Sequence, residues 1–365
     1  MQILAVDVGT GTQDVLLYDT GLEPENALKL VMPSPTVLLA EAIRAATRAG
    51  EDVLLSGVTM GGGPCAWAAE EHLKAGHRVW ATPDAARTFN DDLDEVAAMG
   101  VKIVSDDEAR RLGARRLTMG DFDYHALEKA FGAFGVDLGA VDVLAVAVFD
   151  HGAAPPGISD RLFRFEYLAR QLRGGAGLAG FAFPAAEIPA SMTRLQAAAA
   201  TAPAGRSLVI MDTAPAAILG ALEDPQVGDR EEAIVANVGN FHTLAFSLRE
   251  GRIAGLFEHH TGLLSRERLE ALLRQLAEGT LSNEELFADH GHGALIVEPP
   301  PSPVRPLWLS VTGPRRRLLA GSELRPYLAV PYGDMMMAGC WGLVRACAHV
   351  LPWAADSIEA ALGSE

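Results

Sequence analysis

The sequence predicts an α/β protein of two domains whose sheets are largely buried. Three observations carry that prediction. Strand-like and helix-like segments alternate from the first residues onward. An apolar strand that runs into a Gly turn and back into a strand occurs twice, once in each half, which signals internal duplication. The chain has 365 residues with 49% hydrophobic content, too long for one simple core and suited to two domains of ordinary size.

The N-terminal MQILAVDVGTGTQDVLLYD holds two buried-strand patterns, Ile3 to Val8 and Val15 to Tyr18, with Gly9, Thr10, Gly11 and Thr12 between them. One reading is a hairpin turn whose glycines supply positive φ. The other is an anion site, in which glycines without a Cβ let backbone N–H groups reach phosphate while Asp7 faces a metal or a water. Thr36 to Gly50 has helical periodicity and a Gly stop, and Asp52 to Met60 follows as a strand. GVTMGGGPCAWAA, Gly57 to Ala69, then turns through three glycines into a helix with Pro64 in its first turn. This is either a tight strand-to-helix turn or a ready anion site, serving as a substrate or partner surface at a cleft mouth. It lacks the Gly-x-Gly-x-x-Gly spacing of a dinucleotide fold.

HRVWATPD and VKIVSDD read as strands and Tyr124 to Phe134 as a helix. Val143 to Phe149 is a run of seven apolar residues ending at Asp150-His151, the mark of a strand buried on both faces. ISDRLFRFEYLARQLR is helical and lies in a stretch rich in Ala, Gly and Pro, near whose end the domain crossing is expected. SLVIMDTAPAAILGAL follows as a strand and an Ala-rich helix. Ala233 to Thr243 then repeats the N-terminal plan: a strand ends at Asn237, Gly239 follows, and a return strand begins after Thr243. LSRERLEALLRQLAEG and LSNEELF are helices, IVEPPPSPVRP an extended linker, and PLWLSVTGPRRRLL a strand entering a Gly turn. In the final helical stretch, Gly339, Gly342 and Ala346 permit a close crossing with Ala216, Ala217 and Gly220.

A net charge of −17 argues against a nucleic-acid surface, because phosphate contacts draw on clustered Lys and Arg. The longest uncharged stretch, Val53 to Ala69, contains GGGP and is no membrane helix. No signal peptide is read at the N-terminus. Cys65, Cys340 and Cys347 lie among apolar and small residues as buried thiols, so a reduced cytoplasm is expected.

Five segments in order resemble the actin, sugar-kinase and heat-shock-chaperone ATPase superfamily. VDVGTGTQDVLLYD and VANVGNFHTLAFSL look like its two phosphate hairpins, MDTAPAAILGAL and YGDMMMAGCWGLVRA like its connecting helices, and LWLSVTGPRR like its adenosine loop. The resemblance implies a two-lobed actin-like ATPase fold, ribonuclease H-like, with duplicated sheet lobes and a nucleotide cleft between them. It implies ATP and Mg²⁺ there. Asp7, Gly9, Thr10, Gly11 and Thr12 would form one jaw, with Asp7 on the metal, and Asn237, Gly239, Asn240 and Thr243 the other, with Gly313 beneath the adenine. Asp150 or Asp212 would serve as acid or base, or else as a helix cap or turn residue. Asn237 stands where the superfamily carries Asp, and a neutral amide attracts Mg²⁺ and accepts protons poorly.

The sequence is also similar to a prokaryotic family labelled as pyruvate formate-lyase activating enzyme. That chemistry needs three thiolates spaced Cys-x-x-x-Cys-x-x-Cys on an iron–sulfur cluster, a motif not found here.

The domains expected are 1–190, 191–345, and a tail over 346–365 returning to the first lobe. The function expected is a phosphotransferase or ATPase acting on a small-molecule substrate or a protein client; a homodimer stays open. One alternative is a nucleotide-binding switch without turnover. Another is a metal-dependent enzyme using His259, His260, His290 and His292, whose short spacings suit a transition metal but also polar turns. A further reading turns His259, His260 and Asp289 toward the cleft to select the substrate.

Overall fold

A computed structural model of the chain describes residues 1–155, 157–300 and 308–363. It begins with β1 (Gln2–Val8), β2 (Thr12–Asp19) and β3 (Leu28–Pro33). The next segment builds a small parallel sheet of its own from β4 (Val53–Gly57), β5 (Val79–Ala81), β6 (Lys102–Ile103) and β7 (Arg115–Met119). The chain then returns as β8 (Val143–Val148), β9 (Ala182–Pro184) and β10 (Ser207–Asp212). These complete a six-stranded sheet in the order β3-β2-β1-β8-β10-β9.

The second lobe contains β11 (Glu232–Val238), β12 (His242–Arg249), β13 (Arg252–His260), β14 (Gly293–Ile296), β15 (Leu309–Thr312) and β16 (Tyr327–Leu328). Their order is β14-β13-β12-β11-β15-β16. In both lobes the leading strand pairs antiparallel with the next strand and parallel with a later one, β8 or β15. This is the ribonuclease H-like plan, present twice, as the repeated hairpins predict.

Burial on both faces explains the apolar runs. Leu144, Val146 and Val148 of β8 join Leu4 and Val6 in one core, while Val143, Ala145 and Ala147 join Ile3 and Ala5 in another. Helices Ala338–Val350 and Pro352–Leu362 cover the second face through Cys340, Trp341 and Ile358. Helix Ala338–Val350 also crosses helix Thr213–Ala221 at backbone contact. A Cβ on Gly220 would lie 1.6 Å from the Ala338 carbonyl oxygen, and one on Gly342 1.9 Å from that of Ala216. The small residues are there for that approach.

The lobe boundary differs from the one expected at 190. β10 belongs to the first sheet, and Leu195 and Ala198 pack in the first-lobe core, so that lobe runs to Asp212. Joining parallel β8 and β10 needs a long crossover, and the Ala-, Gly- and Pro-rich stretch is that crossover. The return to the first lobe likewise starts at Ala338, before 346. The PYGDMMM segment forms two 3-10 turns ahead of this helix. The linker expected over 296–306 and Leu307 of the expected adenosine loop lie partly outside the described residues.

Candidate functional site

The two hairpins are one structure repeated. The Gly9 N–H donates to the Thr12 carbonyl at 2.9 Å, and the Gly239 N–H to the His242 carbonyl at 2.9 Å. A Cβ at Gly9 would stand 3.1 Å from that first oxygen, and one at Gly239 2.7 Å from the second, so both turns call for glycine. The hairpin tips meet between the lobes, where a Cβ on Gly11 would come within 2.4 Å of Asn240 Nδ2.

Asp7 sits at the root of the first hairpin. Its Oδ1 accepts from Thr213 Oγ1 at 2.6 Å, and Gly339 packs against its Oδ2. Burial lifts its pKa to about 6, with the Asp212 charge adding to the rise. Asp14, paired with Asp7 across the hairpin, is lifted to about 8 by burial and then by the Asp7 and Asp334 charges. Its Oδ1 is buried without a hydrogen-bond partner. A raised acid holds its proton longer in the native than in the unfolded state, so stability falls as pH rises from the ordinary carboxylate range toward 8. Asp14→Asn should therefore match the parent only below about pH 3, and its advantage should grow by on the order of a few kcal/mol between about pH 5 and about pH 8.5. Thermal midpoints at the two pH values test this; an offset independent of pH would rule the titration out.

The other expected residues separate into two groups. Thr12 opens β2, and Thr10 accepts from Ser34 Oγ at 2.6 Å through its carbonyl. Asn237 leaves its buried Oδ1 unpaired, next to Gly313, whose φ is 96° and where a Cβ would lie 2.3 Å away. Thr243 points away from the cleft: it is fully buried, its hydroxyl 2.9 Å from that of Thr261. Strand alternation gives the cleft His242 instead. Asp212 caps helix Thr213–Ala221 through the Ala214 N–H and pairs with Arg164 at 2.5 Å and 3.3 Å. Arg164 matches its charge and it does not line the cavity between the lobes, so the cap reading holds.

Asp150 is placed differently. It follows β8 at the wall of a cavity of about 430 Å³, the size of a small-molecule site. Its carboxylate accepts from the Gly152 N–H at 2.7 Å and the Leu195 N–H at 2.9 Å, and burial raises its pKa. The cavity lies where the lobes and the small parallel sheet converge. The first hairpin gives it Thr10, the second Phe241 and His242, and helix Asp160–Arg173 gives Arg161. Gly61, Gly62 and Gly63 line it from the carboxyl end of β4, where open α/β sheets bind ligands.

That glycine loop is pinned from two sides. Thr36 Oγ1 donates to the Gly62 carbonyl, and Asp121 accepts from the Gly61 N–H at 3.1 Å. Asp121 also holds Arg194 at 2.7 Å, and Arg194 reaches the Phe149 carbonyl at 2.6 Å. Trp67 and Phe241 meet at 5.7 Å between ring centroids, joining the small-sheet unit to the second hairpin.

The histidines sort in a way the sequence spacing does not foretell. His260 and His292 do converge, but their companions are His242 and His151. His242, His260 and His292 each offer a ring nitrogen within 4.8 Å of the others, one group of potential metal ligands among the described residues. His151 Nε2 lies 3.3 Å from His292 Nδ1. His259 instead directs Nδ1 to the His260 carbonyl at 3.1 Å and Nε2 toward Asp289 at 3.6 Å. His290 is exposed on a turn with φ 60°. Of the trio proposed for substrate selection only His260 lines the cavity; Asp289 is exposed and paired with Arg268. Burial first, and neighbouring imidazole and arginine charges second, depress His242 to about 3 and also lower His151, His260 and His292. All four shifts favour the neutral imidazole.

Arg164 escaped the sequence reading, although Arg164, Leu168 and Leu172 recur at helical spacing on one apolar face. It is 1% exposed and bridges Asp212 and Glu258, with 2.6 Å and 2.8 Å contacts to the latter. Arg161, Arg194 and His151 escaped as well, since their role depends on elements far apart in sequence.

The duplicated sheets, paired hairpins and crossed connecting helices make a two-lobed α/β fold of the actin-like ATPase type. Residues 60–318 match the family described as "Putative pyruvate format-lyase activating enzyme (DUF1786)", and the chain belongs to it. No curated protein matches the sequence. Among solved structures, the chain is similar to the ethanolamine utilization protein EutJ from Carboxydothermus hydrogenoformans, with 13% identity and a TM-score of 0.32 over 94% of this chain and 89% of that one. It is also similar to Lmo2764, described as "a putative N-acetylmannosamine kinase", from Listeria monocytogenes, at 12% identity, TM-score 0.34, and 95% and 98% coverage. A ROK hexokinase from Thermus thermophilus is similar at 12% identity, TM-score 0.29, and 94% and 98% coverage. The fold assignment rests on strand order. The family description names an activating enzyme, but Cys65, Cys340 and Cys347 are separately buried free thiols that form no cluster site. No helix among the described residues is long and apolar enough to cross a membrane.

Proposed function

We propose that the protein is an ATP-dependent phosphotransferase whose small-molecule acceptor occupies the 430 Å³ cavity. The observation that carries this reading is the position of Asp150, on the wall of a cavity that both hairpin tips also enter, through Thr10, Phe241 and His242. A γ-phosphate held between the tips would adjoin an acceptor hydroxyl in reach of Asp150, whose raised pKa suits a general base. Asp7 would hold Mg²⁺ through its water shell, and the Gly9–Thr12 and Gly239–Asn240 backbone would cradle the phosphates. On this reading the protein works in the cytoplasm; its three free cysteines support that.

Titration calorimetry with ATP and Mg²⁺, followed by assay of the same sample for ADP, tests the reading. Binding with ADP formation is expected. Asp150→Asn should then lower turnover by about 10²–10⁴-fold while ATP binding persists. Absence of ATP binding would overturn the proposal. Binding without turnover would favour a nucleotide switch, a reading that the amide of Asn237, neutral where the first hairpin has Asp7, specifically supports.

A further inference from the structure

The cavity contains a second chemical centre that phosphoryl transfer does not use. We propose that His242, His260 and His292 bind a divalent transition-metal ion of the zinc class, with His151 as the positioning residue that fixes His292.

The argument starts from the residue types and their origins. His242 comes from the tip of the second hairpin, His260 from the end of β13, and His292 from the residue just before β14. β12 and β13 are paired in register, with His242 opposite His260, so the sheet itself holds two of the rings side by side. Their centroids are 5.4 Å apart, and His292 closes the triangle at 4.8 Å and 4.5 Å. Phe149 stacks on His242 at 4.7 Å and holds that ring in place.

Tautomer logic then selects the ligating atom. His292 is 2% exposed, and its Nδ1 is within hydrogen-bond reach of His151 Nε2. Its Nε2 is buried and has no partner. An orphaned ring nitrogen in a buried polar site calls for an occupant. A metal-ligating histidine commonly donates its other N–H to a fixed acceptor, which is the place His151 takes. A bound ion with metal–nitrogen bonds of about 2.0–2.1 Å would draw the three nitrogens closer than the 4.8 Å they now span.

Two of the three nearby arginines carry matched charge, while Arg161, which lines the cavity, bonds the Gly291 carbonyl. Arg164 is matched by Asp212 and Glu258, and Arg194 by Asp121. Three imidazole nitrogens suit zinc, and also cobalt, nickel, copper or iron, better than magnesium or calcium, which prefer oxygen. Since His242, His260 and His292 all line the cavity, a position on the ion stays open to it. That is the arrangement of a catalytic site with water or a substrate oxygen as the last ligand.

The test is made on the full chain, produced without a histidine tag. Elemental analysis of the purified protein comes first, followed by titration of the metal-stripped protein with Co²⁺ read by visible absorption. An equimolar ion, or equimolar Co²⁺ binding with tetrahedral-type absorption, is expected. His260→Asn and His292→Asn should abolish the absorption. His151→Ala should weaken Co²⁺ affinity by about 10–100-fold. The exposed His290→Ala should leave affinity unchanged. Failure of the parent protein to bind Co²⁺ or Zn²⁺ overturns the proposal even if the variants do not fold. Binding that survives His292→Asn overturns it too, by placing the metal elsewhere. Neither result touches the nucleotide reading, which calorimetry with ATP decides separately.

Discussion

Arg164→Met is expected to destabilise the protein by about 3–5 kcal/mol, among the largest effects of any single side chain. The guanidinium is 1% exposed and is the counter-ion to two carboxylates, Asp212 and Glu258, that are themselves buried. Removing it leaves both acids unpaired in a low-dielectric core, where each must ionise uncompensated or take up a proton. Arg164 also donates to the Asp150 carbonyl at 2.6 Å and lies over the Phe149 ring at 4.1 Å, so its loss loosens the cavity wall as well. Urea unfolding of the variant should show a lowered midpoint. The triple variant Arg164→Met, Asp212→Asn, Glu258→Gln should recover much of the loss, because no buried charge is then left alone. A loss under about 1 kcal/mol in the single variant would mean that water reaches the triad.

Gly220→Ala and Gly342→Ala should each cost at least about 3 kcal/mol or prevent accumulation of soluble protein. In both cases the added methyl meets a backbone carbonyl of the opposing connecting helix, and a backbone carbonyl, unlike a side-chain tip, cannot swing aside. Relief would require the two helices to separate, which would open the contact on which both lobes depend. Gly132→Ala is the matched control. That glycine is exposed at the end of helix Tyr124–Gly132 with nothing within 4 Å of the added atom, so the change should be neutral or stabilising by up to about 1 kcal/mol. Thermal midpoints of the three variants test this; equal midpoints would show that the crossing relaxes at little cost.

Much of the fold is legible before any coordinates. β1 and β8 announce themselves as uninterrupted apolar runs because both faces of each strand are covered. The second hairpin is legible as a copy of the first because a Gly turn between two buried strands constrains residue types locally. β7 is harder to read: its RRLTM sequence is mostly exposed and lacks the apolar run that marks a buried strand. The first sheet extends past the position where composition suggests a boundary, for a related reason. Small residues and prolines signal a linker, but composition does not say whether that linker joins two domains or two parallel strands of one sheet.

The sequence alone determined the duplicated α/β plan, the glycine turns and the close helix crossing, since each rests on local periodicity or on the size of individual residues. Only the tertiary structure decided which polar residues work together. Asp150 and Asp212 are both acids at strand ends, yet one lines a cavity and the other is consumed by a cap and an arginine. His259 and His260 are neighbours in the chain, but alternation along β13 sends them to opposite environments. His151, His242, His260 and His292 come from segments as much as 141 residues apart and meet only because strand order carries those segments to one cavity. Spacing in the chain encodes which face of an element a side chain occupies, and it does not encode which distant face will be packed against it.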